Sequence, residues 1–220
     1  MPALFFQHFW PTVGNVVTKT VLDFLNLGII PPKFNETHIV LVPKKKKNPN
    51  CITDFRPISL CNVIYKLVSK VLVNKLKKVL HKFISDTKSA FVHGRLITDN
   101  VLVAFEIVHH INSNKGGNIG EMTLKLDKSK AYDIAKWICL DKIMEKLGFN
   151  SWWKGLMMQC ISSVSYSVRI NGEPRGNIIL SRGLQQNDPL SPYLFLICAE
   201  DLSALIKKYV QENKLDGVAV

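Results

Sequence analysis

The chain has 220 residues, 47% hydrophobic and 21% charged, with a formal net charge of +12. Such a composition can bury a core and excludes a disordered tail. No apolar run approaches the ~18 residues of a membrane span, and five widely spaced cysteines without a Cys-x-x-Cys exclude a zinc finger and fit a reducing compartment, nuclear or cytoplasmic.

The charge is uneven. Residues 1–90 carry 14 Lys/Arg against 4 Asp/Glu, and residues 91–220 carry 15 against 13. A basic first part suits a polyanion such as nucleic acid, or a solvated surface with no partner. Met1–Trp10 is apolar but lacks the basic start and small-residue cleavage site of a signal peptide.

In chain order, Pro11–Leu27 reads as a helix, with Val13, Val16, Val17, Val21, Phe24 and Leu25 at helical spacing. Gly28 stops it and Pro31-Pro32 prevents its resumption. Glu36–Val42 reads as a strand apolar enough to be covered on both faces. Lys44–Lys47 follows as a run of like charges, either a phosphate contact or a solvated loop. Pro57 restricts Arg56 to an extended backbone. The guanidinium suits a phosphate, or a structural salt bridge to Asp54.

Val63–Ile84 is expected to be a long amphipathic helix with a lysine-rich outer face. Ser89–Arg95 reads as a loop, and Thr98 and Asp99 are candidate caps for a helix over Asn100–Asn112. Asn114–Asn118 is a Gly-rich turn. In Met122–Asp127, Leu124 and Leu126 alternate with polar residues, so they are expected to be buried in a short strand. Asp127 then stands at the strand's C-terminal edge, as an exposed carboxylate or an ordinary N-cap.

Helices are expected over Trp137–Leu147 and Ser151–Ser162. Two strands, Val164–Ile170 and Asn177–Ser181, flank Asn171-Gly172, a hairpin turn signal. A turn-rich loop, Ser181–Pro192, feeds a helix over Tyr193–Val210, apolar on most faces in its first half. Cys139, Cys160 and Cys198 have apolar neighbours and are expected to be buried thiols.

Five segments occur in register: Pro43-Lys44-Lys45 with Asp54-Phe55-Arg56-Pro57-Ile58-Ser59; Phe91-Val92 with Gly94-Arg95 and Asp99-Asn100; Leu126-Asp127 with Ser129-Lys130-Ala131-Tyr132-Asp133; Ser181-Arg182-Gly183-Leu184; and Asp188-Pro189-Leu190-Ser191-Pro192. Together they resemble the reverse transcriptase domain of non-LTR (LINE-type) retrotransposons, especially the plant type, over essentially the whole chain. The resemblance implies an α+β, right-hand polymerase fold, helix-rich with a small antiparallel sheet. Residues 1–118 would be a basic fingers-like region and 119–220 a partial palm.

It also implies RNA-directed DNA synthesis, with an RNA template, a DNA primer and dNTPs as partners and Mg²⁺ as the metal. Asp127 would be the first metal-binding, catalytic aspartate. Tyr132 would face the sugar. Gln186, Pro189 and Ser191 would line the nucleotide and template pocket, with Lys44, Lys45 and Arg56 on phosphates. Asp133 reads as structural.

Several positions depart from the family pattern. Gln185 stands where Arg is usual, Asn187 where Gly is usual, Lys88 for Gln, and Ile134-Ala135-Lys136 for Arg-Val-Glu. Asn tolerates positive φ, so the turn at 187 is expected to survive. The Ala-Asp-Asp turn carrying the family's other two metal aspartates is absent from the 220 residues. This polypeptide alone is therefore expected to be a catalytically incomplete fragment, or a non-catalytic nucleic-acid-binding remnant.

Overall fold

The structure is a computed structural model that describes residues 2–44, 48–113, 122–126 and 131–216. Helices α1 (Ala3–His8) and α2 (Trp10–Leu27) open the chain. Gly14, Val17, Val21 and Phe24 form the buried stripe of α2, a spacing that follows from 3.6 residues per turn. Gly28 ends it at φ +71°, its N–H donating to the Phe24 carbonyl at 2.8 Å, the left-handed cap that glycine supplies without steric cost.

Strand β1 (Glu36–Pro43) pairs antiparallel with β2 (Phe55–Cys61), Ile39 opposite Ser59 and Val42 opposite Arg56. The extended backbone that Pro57 imposes is thus part of a strand. β1 is only partly covered, with Thr37 as its one buried residue. Its other edge pairs in parallel with β3 (Ser165–Ile170), which pairs antiparallel with β4 (Glu173–Ile179). The strand order is β2-β1-β3-β4. The small sheet is mixed, because β1 and β3 are joined through intervening helices and not by a tight turn. Asn171 and Gly172, at φ +51° and +87°, make the hairpin turn, as Asn-Gly favours.

The core lies among the helices. Tyr65, Val68, Leu72, Val73, Leu76 and Leu80 of α3 (Val63–Leu80) pack with Leu140 and Met144 of α5 (Trp137–Lys146) and with Leu156, Met157 and Cys160 of α6 (Ser151–Ser162). Leu194, Leu196 and Ile197 of α7 (Ser191–Gln211) complete it. Asn62 and Asn150 cap α3 and α6, each accepting from the N–H two residues on. Buried Asn35 joins sheet to helices, donating to the Cys160 carbonyl at 2.8 Å and to Ser163 Oγ at 3.0 Å.

Further expectations change. The second hairpin strand runs Glu173–Ile179 and not Asn177–Ser181, because the Asn171-Gly172 turn lets pairing with β3 begin at once. Met122–Leu126 has no regular secondary structure, and Leu124 and Leu126 are exposed. Alternation alone does not bury a strand; it needs a pairing neighbour, and none of the four described strands pairs with it. Cys139 is exposed because it falls on the outer face of α5, while Cys160 is buried and Cys198 is half-buried. Helix α4 starts at Ile97, so Thr98 and Asp99 lie in its first turn and are not caps. α3 ends at Leu80, and residues 81–83 form a turn.

Candidate active-site region

Residues 131–134 form a turn that the sequence separates from the 181–192 loop by about fifty positions. Two backbone bonds fasten them: Gly183 N–H to the Ala135 carbonyl at 2.7 Å, and Leu184 N–H to the Tyr132 carbonyl at 2.9 Å. Trp137 Nε1–H adds a third, to the Gly183 carbonyl at 2.7 Å. Gly183 sits at φ +97°, and a Cβ there would meet the Asp133 carbonyl oxygen at 3.2 Å. Only glycine lets the two segments approach this closely.

The junction creates two adjoining hollows. One, of about 370 Å³, is lined by Tyr132, Gln185, Gln186, Asn187, Asp188, Ser191 and Pro192. The other, of about 460 Å³, runs over one sheet face, from Ile39, Pro57 and Ser59 to Tyr166 and Ile178, and is closed by Asp133 and Arg182. Gln186 lines both and is exposed. The ring of Tyr132 packs against Phe195 with centroids 5.3 Å apart, and partial burial pushes its hydroxyl pKa up.

The floor is built by side chains that sequence reasoning left unassigned. Asp188 is buried, with Oδ1 accepting from Ser69 Oγ at 2.5 Å and Oδ2 from Ser191 Oγ at 3.2 Å. Burial raises its pKa, opposed by the bonds from Ser69, Leu190 and Ser191. Gln185 is buried, and its Nε2 donates to Thr37 Oγ1 at 2.5 Å and to Cys61 Sγ at 2.9 Å. It therefore ties the loop to β1 and β2 at the place where the family pattern has Arg. Asn187 holds φ +65°, so the turn survives as expected. The available signal for this floor was a polar residue, Ser69, inside the apolar stripe of α3.

Of the residues read from the sequence, Tyr132, Gln186 and Ser191 come together here, and Pro189 is half-buried in the same loop. Ser191 turns its hydroxyl inward to Asp188. Arg56 does not join them. Strand side chains alternate, so it projects from the sheet face opposite Pro57 and Ser59, which line the larger hollow. Lys44 lies at the same end of the β1–β2 pair, exposed, with Nζ donating to the Thr53 carbonyl at 2.8 Å. Asp54 accepts from the N–H groups of Asn50 and Cys51. Asp127 and Lys45 lie outside the described residues.

Among the described residues no group of three or more His, Cys, Asp or Glu could hold a metal ion. Both oxygens of Asp188 are already engaged inside the protein. The described residues therefore do not by themselves fit a metal site. No helix among them is long and apolar enough to cross a membrane.

The family described as "Reverse transcriptase (RNA-dependent DNA polymerase)" matches residues 42–216. The chain is 29% identical over 204 residues to the transposon TX1 uncharacterized 149 kDa protein of Xenopus laevis, covering 93% of this chain and 15% of that protein. It is 23% identical over 218 residues to the Pol polyprotein of the type-1 retrotransposable element R2 of Popillia japonica, covering 92% of this chain and 30% of the relative. A stretch of 51 residues is 51% identical to an uncharacterized mitochondrial protein of Arabidopsis thaliana, 23% of this chain and 42% of that one. The chain thus spans less than a third of the length of the TX1 and R2 proteins. The family match over residues 42–216, most of the chain, establishes that the chain belongs to the reverse transcriptase family.

Proposed function

We propose that these residues are the fingers-like region (1–118) and partial palm (119–220) of an RNA-directed DNA polymerase from a non-LTR retrotransposon. The observation that carries this reading is the fastening of the Tyr132 turn to the 183–184 backbone. It puts the 131–134 turn beside Gln186, Asp188 and Ser191, a half-enclosed hollow with an aromatic wall and polar floor. Such a hollow suits a nucleoside triphosphate whose sugar lies against Tyr132.

In this proposal RNA is the template, DNA the primer, and Lys44 and Arg56, at one end of the β1–β2 pair, contact phosphates, as does Lys45. The family uses divalent metal; here Mg²⁺ would be held at Asp127 and would stabilise charge on the transferred phosphoryl group. The chain's own residues orient: Gln186 reaches both hollows, and Gly183 sets the distance between turn and loop. Mg²⁺ takes near-octahedral oxygen coordination, usually with more than one carboxylate or phosphate partner. Without an Ala-Asp-Asp turn in the 220 residues, this polypeptide alone is expected not to polymerise.

The test is primer extension on an RNA template with Mg²⁺. The isolated polypeptide should incorporate no nucleotide. A longer chain that joins it to a segment carrying the Ala-Asp-Asp turn should incorporate nucleotide and lose that activity in Asp127→Ala. Extension by the isolated polypeptide would overturn the incompleteness. Extension by the longer chain that survives Asp127→Ala would overturn the site. The alternative, a non-catalytic binding remnant, draws on the basic first part of the chain and predicts salt-dependent binding that is indifferent to Asp127.

A further inference from the structure

A third cleft, of about 350 Å³, shares no lining residue with the two hollows and is lined by Lys77, Lys78, Phe91, Val92, His93 and Tyr193. Lys77 and Lys78 are exposed on the last turn of α3. Lys77 Nζ lies 5.5 Å from the centroid of the Tyr193 ring, within cation–π reach. Phe91 stands edge-on to Tyr193, centroids 5.9 Å apart at 64°. Phe91 is 56% exposed, yet its backbone is held at φ +60°, a conformation that a bulky residue avoids unless its surroundings impose it.

The surroundings do impose it. Arg95 Nη1 donates to the carbonyls of Ser85 at 2.6 Å and Lys88 at 2.7 Å, closing the 85–95 loop on itself. Lys88 Nζ clamps that loop to α7 through Glu200 Oε1 at 2.6 Å, Ser203 Oγ at 2.7 Å and the Ala199 carbonyl at 3.0 Å. Val92, beside Phe91, is buried. An exposed aromatic ring on a pinned, strained loop, next to two exposed lysines, is costly as packing and pre-organised as a recognition surface.

We propose that this cleft is a stacking site for one unpaired base of a single-stranded nucleic acid, formed by other residues than those of the two hollows and resting on the polymerase reading above only for its choice of polyanion. The base would lie on the free face of Phe91. The gap to Tyr193 is too narrow and too steeply inclined for a sandwich, which needs about 3.5 Å on each side of the base. Lys77 and Lys78 would take the flanking phosphates as point charges. Aromatic platforms interleaved with lysines bind single strands with little sequence preference, because every base offers a π-face.

The experiment uses the 220-residue chain and fluorescence anisotropy of a labelled single-stranded oligodeoxynucleotide and of its abasic counterpart of equal length. Phe91→Ala should weaken the base-bearing strand by roughly tenfold and leave the abasic strand unchanged. Phe91→Trp should bind the base-bearing strand at least as well as the parent. The double change Lys77→Gln, Lys78→Gln should weaken both strands and lower the salt slope by about 0.7 per lysine. Equal losses on both strands in Phe91→Ala, no loss on either, or no binding by the parent chain would overturn the stacking site. Nucleotide incorporation reads the polymerase proposal without using this measurement, so either can fail alone.

Discussion

Ser69, midway along α3, donates its hydroxyl to Asp188 Oδ1 at 2.5 Å while accepting from the Leu190 N–H at 3.0 Å. Both side chains are buried, so one oxygen links the lysine-coated helix to the loop that shapes the smaller hollow. Removing it leaves a buried carboxylate and a buried N–H short of a partner, at about 1–3 kcal/mol. Ser69→Ala is expected to lower the denaturant midpoint accordingly without changing the transition slope. A variant as stable as the parent would mean that the contact is incidental.

Asp188 gives the pH dependence of that joint. Burial raises its carboxyl pKa above the ordinary carboxylate value, so the folded state holds the proton more firmly than the unfolded chain. The stability it contributes is full below the unfolded pKa and is lost as pH rises through the folded one. Asp188→Asn removes this titration. The parent should therefore lose stability relative to Asp188→Asn as pH is raised from the ordinary carboxylate range toward neutrality. Thermal midpoints of the two proteins across that range check the sign, and a gap that widens in the parent's favour would refute the burial argument.

Gly183 sets how closely the two halves of the site approach. At φ +97°, with the Asp133 carbonyl 3.2 Å from where a Cβ would stand, alanine meets both backbone strain and a backbone neighbour. Gly183→Ala is expected to cost about 1–3 kcal/mol and to push the Tyr132 turn outward. Near-ultraviolet circular dichroism should report the changed packing of Tyr132 on Phe195. An unchanged spectrum with unchanged stability would show that the junction has slack.

Much of this was legible before any fold was known, and the reasons are local. The α2 stop at Gly28, the Asn171-Gly172 turn and the bounds of α6 follow from short-range chemistry that a sequence displays directly. The Leu124–Leu126 pattern misled because period two reports a face, and burial of that face depends on a pairing strand elsewhere. The parallel partnership of β1 with β3 arises from pairing across more than a hundred residues, and the face that Arg56 takes is set by the register of β2 on β1. The pocket loop was visible as a motif, but Asp188 read as one letter of it. Its role as the floor depends on Ser69, which only the fold brings near.

Asn187 tests whether the altered motif loop keeps its turn by chemistry or by tolerance. It holds φ +65° where the family pattern has glycine, and its Nδ2 reaches the Ser59 carbonyl at a long 3.4 Å. Asparagine enters this left-handed region more readily than other side-chain-bearing residues, while β-branched residues are outliers there. Asn187→Gly should therefore change stability by less than about 1 kcal/mol, the lost weak bond offset by relief of residual strain. Asn187→Val should cost about 1–3 kcal/mol, because its branched Cβ crowds the backbone at a positive φ that asparagine's unbranched one tolerates. The side chain is exposed, so neither change opens a cavity and the comparison isolates the backbone. Chemical denaturation of the three proteins measures it. If valine is tolerated as well as glycine, the loop does not depend on a positive φ at this position, and the retained turn owes nothing to the choice of asparagine.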